Sequence, residues 1–168
     1  MFGLFKKKEA QKEVSELKGK LFSPANGEVI AIDKVSDPVF SQKMMGDGYA
    51  VIPTDGKIYS PVNGKVLSVF PTKHAVGILM DNGVEILLHM GLDTVELNGA
   101  PFDTVVTEGQ LITPETLIST VDLEQLKAAG KDNAMVVVIT NMEKVADYHL
   151  TVTGETKAST EVASYTVA

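Results

Sequence analysis

Residues 74–91 read "HAVGILMDNGVEILLHMG" and place an apolar run on each side of Asn82-Gly83. Asn-Gly between such runs signals a two-residue hairpin, because a type I′ turn needs positive φ at both central positions. On that turn Asp81 opposes Val84, cross-strand numbers sum to 165, His89 opposes Val76 and His74 opposes Gly91. Opposed residues share a face, as do residues two apart, so His74 and His89 become diagonal neighbours with Cα atoms roughly 7–8 Å apart. A three-residue loop would shift the sum by one and send the two rings to opposite faces.

The rest of the chain has the same texture. "SPANGEVIAI" (23–32) and "SPVNGKVLSV" (60–69) share S-P-x-N-G-x-V-x-x-[IV], with Ser23 and Ser60 37 residues apart. In each unit Asn-Gly supplies residues tolerant of positive φ and the apolar residues after it suit a strand. Further turn signals at Gly46-Asp47-Gly48, Asp55-Gly56 and Asn98-Gly99 delimit short segments such as "YAVIP", "KIYSPV", "VGILM", "VEILLHM" and "AMVVVIT". Such spacing predicts an all-β fold, an antiparallel β-sandwich or flattened barrel with an internal repeated motif. Only "DLEQLKAAG" and the first twenty residues carry a helical pattern.

A chain of 168 residues suits one core. Residues 21–168 are expected to form that single domain, and residues 1–20 a flexible appendage. In the appendage Phe2, Leu4 and Phe5 precede Lys6, Lys7 and Lys8, a pattern suited to a short amphipathic helix making weak contact with anionic lipid through residues 1–8. No apolar run approaches the roughly 20 residues of a membrane span and no signal-peptide core is visible, so a cytoplasmic setting is expected.

The balance of 15 basic against 22 acidic residues is uneven. Residues 1–20 hold six Lys and three Glu, so the body is strongly acidic, which argues against nucleic-acid binding. Every basic residue is lysine. Bidentate guanidinium clamps for a phosphate would have to come from a partner. With no cysteine, disulfides and thiolate chemistry are excluded.

Paired imidazoles in apolar surroundings are costly unless used. Three chemistries would use them: zinc with a carboxylate from Glu85 or Asp93, general acid–base work, or a histidine nucleophile toward phosphorus. For the third, Thr72 lies two residues before His74 and its hydroxyl can hold a ring nitrogen. His149, in "ADYHLTV", has no such company and reads as structural or exposed.

"GVEILLHMGLDTVELNG" (83–99), taken with "SPANGEVIAIDKVSDPVFSQKMMGDGYAVIPTDGKIYSPVNGKV" and "FPTKHAV", resembles the glucose-type enzyme IIA component of the bacterial phosphoenolpyruvate-dependent sugar phosphotransferase system. The resemblance covers about residues 20–145. It implies that His89 accepts phosphate from the histidine phosphocarrier protein and passes it to a cysteine of a sugar-specific enzyme IIB, whose membrane partner is IIC. It makes His74 the companion that stabilises the phosphoryl group, oriented by Thr72. It assigns partner docking to an apolar ring of Val39, Phe40, Phe70, Leu87 and Val95, with Asp37 and Asp93 receiving basic side chains. Leu87 and Met90 stand where phenylalanine is found in the family, which reduces the ring's aromatic area.

The resemblance implies no required cofactor. It admits zinc between His74 and His89 where a partner supplies a carboxylate, and regulated metabolic enzymes or permeases as further partners. A lysostaphin-like zinc peptidase would need His-x-His, and a biotinyl or lipoyl carrier an exposed hairpin lysine. His-x-His is absent, and "QKMMGDG" and "NMEKV" match the carrier-lysine pattern poorly.

Overall fold

A computed structural model describes residues 19–168. The expected N-terminal helix and lipid contact fall outside them. The strands are β1 Lys20–Phe22, β2 Gly27–Ala31, β3 Gly48–Pro53, β4 Lys57–Tyr59, β5 Gly64–Val69, β6 Ala75–Leu79 and β7 Glu85–Met90. They continue with β8 Phe102–Thr104, β9 Leu111–Ile112, β10 Leu117–Val121, β11 Met135–Ile139, β12 Val145–Leu150, β13 Gly154–Thr156 and β14 Glu161–Val167. Helix α1 (Pro38–Ser41) lies between β2 and β3, and α2 (Leu123–Ala128) between β10 and β11.

All pairings are antiparallel. The large sheet runs β13-β2-β3-β11-β7-β6-β5-β9, and two three-stranded sheets run β1-β14-β12 and β4-β10-β8. Its ends, β13 and β9, do not pair with each other, so the architecture is a sandwich and not a closed barrel. One main core gathers side chains from all three sheets, among them Val29, Tyr49, Ile58, Ile86, Ile118 and Val162. A second, smaller cluster includes Ile32, Phe40, Leu92, Val136 and Val138. It forms because segment 32–40 covers the other face of the large sheet, whose central strands are apolar on both sides.

The two repeat units are bonded to each other. Phe22 N–H donates to the Pro61 carbonyl at 2.8 Å, and Tyr59 N–H donates to the Pro24 carbonyl at 2.7 Å. The 37-residue spacing of the repeat carries Phe22 onto Tyr59 and Pro24 onto Pro61, so these are the same bond made in both directions. The buried Ser23 and Ser60 hydroxyls donate two residues ahead, to the Ala25 and Val62 carbonyls, at 2.7 and 2.6 Å.

The repeat glycines are the first residues of β2 and β5, where the sequence suggested turn positions. Their use is close backbone approach: a Cβ on Gly27 would lie 2.1 Å from the Ile52 carbonyl oxygen, and one on Gly64 2.5 Å from that of Leu79. Backbone cannot retreat as a flexible side chain does. Gly27→Ala is expected to cost about 3 kcal/mol, read as a lowered urea midpoint, and a midpoint within error of the parent would contradict this account.

The central hairpin also differs from its expectation. Met80 N–H donates to the Val84 carbonyl and Gly83 N–H to the Met80 carbonyl, both at 2.9 Å. The loop is therefore the three residues Asp81–Gly83, with positive φ at Gly83 (+87°) and not at Asn82. Asn82 is held otherwise: its Oδ1 accepts Val84 N–H at 3.1 Å and its Nδ2 donates to the Tyr165 hydroxyl at 2.8 Å. Opposed residues sum to 164, Ala75 facing His89 and Val76 facing Leu88.

Candidate functional site

A sum of 164 should separate the histidines, yet their ring centroids are 5.0 Å apart with an interplanar angle of 78°. The reason lies at the start of β6. Pro71 follows Phe70 in a tight turn closed by Lys73 N–H to the Phe70 carbonyl at 2.8 Å, and Lys73 takes a left-handed φ of +61°. His74 thus precedes the regular strand, and strand alternation does not govern its direction. Its ring comes round to the outer face, where β7 presents His89.

His89 Nδ1 lies 2.7 Å from the Gly91 carbonyl oxygen. A carbonyl only accepts, so Nδ1 carries the proton and the neutral ring keeps its lone pair on Nε2. His74 Nδ1 lies 2.6 Å from the Thr72 hydroxyl, which is able to donate or accept. Phe40 stands 5.2 Å from the His89 ring and Phe70 stands edge-on, 5.5 Å from that of His74. Phe40 is placed by a short sequence device: the Asp37 carboxylate accepts Val39 N–H at 2.9 Å and Pro38 opens α1.

His74 is 4 % exposed. Burial, followed by the nearby His89 ring, holds its pKa down at about 4. Burial also lowers His89, against upward pulls from the Gly91 carbonyl, Asp37 and Asp93. Both imidazoles are therefore predominantly neutral near pH 7, as a nitrogen nucleophile requires.

The ring assigned to docking divides into two layers. Val39, Phe70 and Val95 are exposed, whereas Phe40 (4 %) and Leu87 (8 %) are buried, so these two support the rim instead of presenting it. Met90 is fully buried in the main core. Loss of aromatic area there does not alter the exposed surface. Asp37 and Asp93 line a groove beside the site, about 540 Å³ in volume, together with Asp132 and Lys131. The Lys131 ammonium is paired with Glu96. His149 is exposed.

Glu85 and Asp93 do not complete a zinc site with the histidines: among the described residues no three His, Cys, Asp or Glu side chains form a group able to hold a metal. The acceptor that holds His89, the Gly91 carbonyl, was missed from the sequence. The available signal was His-x-Gly, because a glycine two residues on can turn its carbonyl back toward the ring.

The family model for the phosphoenolpyruvate-dependent sugar phosphotransferase system, EIIA 1, matches residues 19–145. The chain belongs to that family. This EIIA chain is 40 % identical over 162 residues to the glucose-specific EIIA component of Staphylococcus aureus, covering 94 % of this chain and 93 % of that protein. It is 48 % identical over 148 residues to the glucose-specific EIICBA component of Streptococcus pneumoniae serotype 4, spanning 88 % of this chain but one fifth of that protein's length (20 %). Among solved structures, glucose permease IIA from Mycoplasma capricolum superposes with a TM-score of 0.78 at 39 % identity, covering 86 % of this chain and 93 % of that one. The EIIA chain is thus a phosphotransferase component of sugar transport with a β-sandwich fold. No helix among the described residues is long and apolar enough to cross a membrane.

Depressed imidazole pKa values make stability depend on pH. The unfolded chain takes up protons near pH 6.5, whereas His74 takes one up only near 4. Between those values the unfolded state binds more protons, so stability falls as the pH is lowered through that window. NMR titration should give a His74 midpoint near 4 and a His89 midpoint below 6.5. His74→Gln should flatten the fall in urea midpoint across that window, and a slope equal to the parent's would refute the depressed value.

Proposed function

We propose that this EIIA chain carries phosphate on Nε2 of His89, taking it from the phosphohistidine of the histidine phosphocarrier protein and giving it to a cysteine of a sugar-specific enzyme IIB. The single observation that carries this reading is the His89 Nδ1–H bond to the Gly91 carbonyl, which leaves Nε2 unprotonated at the site. On acceptance the donor P–N bond breaks as the P–Nε2 bond forms, and no proton has to leave the attacking nitrogen. On donation the cysteine thiolate attacks phosphorus, the P–Nε2 bond breaks, and the ring returns to its neutral form.

His74 supports the transferring group. With the Thr72 hydroxyl donating to Nδ1, the His74 proton sits on Nε2 and is available to a phosphoryl oxygen. Positioned donors of this kind stabilise charge spread over the equatorial oxygens during transfer. Transfer requires no cofactor. Zinc would need a carboxylate from a partner in addition to His74 and His89, given the absence of a third ligand among the described residues.

Val39, Phe70 and Val95 form the apolar rim on which the phosphocarrier and enzyme IIB dock, with Asp37 and Asp93 meeting their basic side chains. An acidic, arginine-free surface that meets a basic partner speeds encounter without requiring tight binding. The names of the similar proteins favour glucose as the sugar and a IIC-linked IIB as the acceptor. The protein acts in the cytoplasm, where phosphoenolpyruvate supplies the phosphate. A phosphoryl group adds about two negative charges to a largely apolar face, which suits phosphorylation-dependent contact with metabolic enzymes or permeases.

Incubation with labelled phosphoenolpyruvate, the general phosphotransferase proteins and this chain should label the parent and leave His89→Ala unlabelled. His74→Gln should accept label but pass it to enzyme IIB at least about tenfold more slowly, as for loss of one transition-state donor. Labelling of His89→Ala at the parental rate would overturn the assignment of His89, and full onward transfer by His74→Gln that of His74.

A further inference from the structure

Gly91 lies in the left-handed region (φ +80°), and both peptide units that meet at it are bonded at each end. In the first, the Met90 carbonyl accepts the Thr94 hydroxyl at 2.7 Å and Gly91 N–H donates to the Ala134 carbonyl at 2.9 Å. In the second, the Gly91 carbonyl accepts His89 Nδ1–H at 2.7 Å and Leu92 N–H donates to the Asp132 carbonyl at 3.0 Å. A Cβ on Gly91 would lie 2.5 Å from Thr94 Cγ2 and 3.0 Å from the Asp132 oxygen, so the position admits no other residue without a shift.

Apart from His89 itself, the one side chain in this clamp is Thr94. It is fully buried, in a position where a hydroxyl is costly unless bonded, and its bond goes to the peptide unit next to the His89 acceptor. Thr94 also opens the 3-10 turn Thr94–Leu97, which displays Val95 on the rim.

We propose that Thr94 is a positioning residue for phosphoryl transfer: its hydroxyl fixes the Met90–Gly91 peptide, keeps the Gly91 carbonyl aimed at His89 Nδ1, and thereby selects Nε2 as the phosphate-carrying nitrogen. The inference rests on the reading of His89 as the phosphate carrier. A neutral imidazole exchanges its proton between two nitrogens, and the bond made by one of them decides which form is present. If the carbonyl turns away, both forms become populated. An ordinary net hydrogen bond biases such an equilibrium by about tenfold.

The test compares two substitutions with opposite losses. Thr94→Val keeps the volume and loses the hydroxyl, whereas Thr94→Ser keeps the hydroxyl and loses the methyl. Nitrogen-15 NMR of the His89 ring in the full chain should show one form, protonated at Nδ1, in the parent and in Thr94→Ser. Thr94→Val should show both forms and accept phosphate more slowly in proportion to the Nδ1-protonated fraction that remains, about twofold when a tenfold bias is lost. If Val does not fold, Thr94→Ala carries the same expectation.

A folded hydroxyl-free variant that keeps the single Nδ1-protonated form would overturn the proposal, as would loss of that form in Thr94→Ser. A role in packing alone predicts the reverse ranking, with Ser the weaker variant. Failure of the phosphate-carrier reading is separable, because it appears as label on His89→Ala, whereas the ring spectra are read without any transfer.

Discussion

The bond from His89 Nδ1–H to the Gly91 carbonyl is the constraint around which the site is organised. It joins a side chain of β7 to the backbone immediately beyond the same strand, so it exists only if the chain reverses at Gly91. That reversal is held by the segment leading into β11, through the carbonyls of Asp132 and Ala134. The central pairing of β7 with β11 in the large sheet thus determines which nitrogen of the imidazole faces outward. Sheet register and the protonation form of the His89 ring are one problem here.

Much of the fold was legible because its signals are local. Short β-rich runs between Gly, Asn and Asp turns gave an all-β sandwich, the S-P-x-N-G repeat marked two equivalent strand entries, and Asp122 capped the one clear helix of the described residues by accepting Gln125 N–H. Helix α1 was not legible, since four residues carry no periodicity, although Asp37-Pro38 is a start signal. The role of the repeat glycines was misread because close approach depends on a partner strand distant in sequence.

The histidine pair shows a subtler limit. Read from sequence, a two-residue turn brings His74 and His89 together, while the chain uses a three-residue loop. They meet because Lys73 adopts a left-handed backbone at the end of a turn that contains Pro71. Nothing in a lysine announces positive φ, so this departure comes from tertiary closure of the turn. Likewise Phe40 and Leu87 read as apolar surface, whereas both are buried, Phe40 within the smaller cluster that segment 32–40 makes with the large sheet.

The reciprocal bonds between the two repeat units have a consequence beyond stability. Each unit ends in a strand, and the two strands lead into different segments: β2 into the one carrying Asp37, Val39 and Phe40, and β5 into the turn carrying Phe70, Thr72 and His74. Both exits reach His89, one through Phe40 and the other through His74. One supporting frame is used twice, and each copy releases a different wall. The exposed apolar side chains of the two walls, Val39 on one and Phe70 on the other, thus stand on segments that lie outside the strands of the frame.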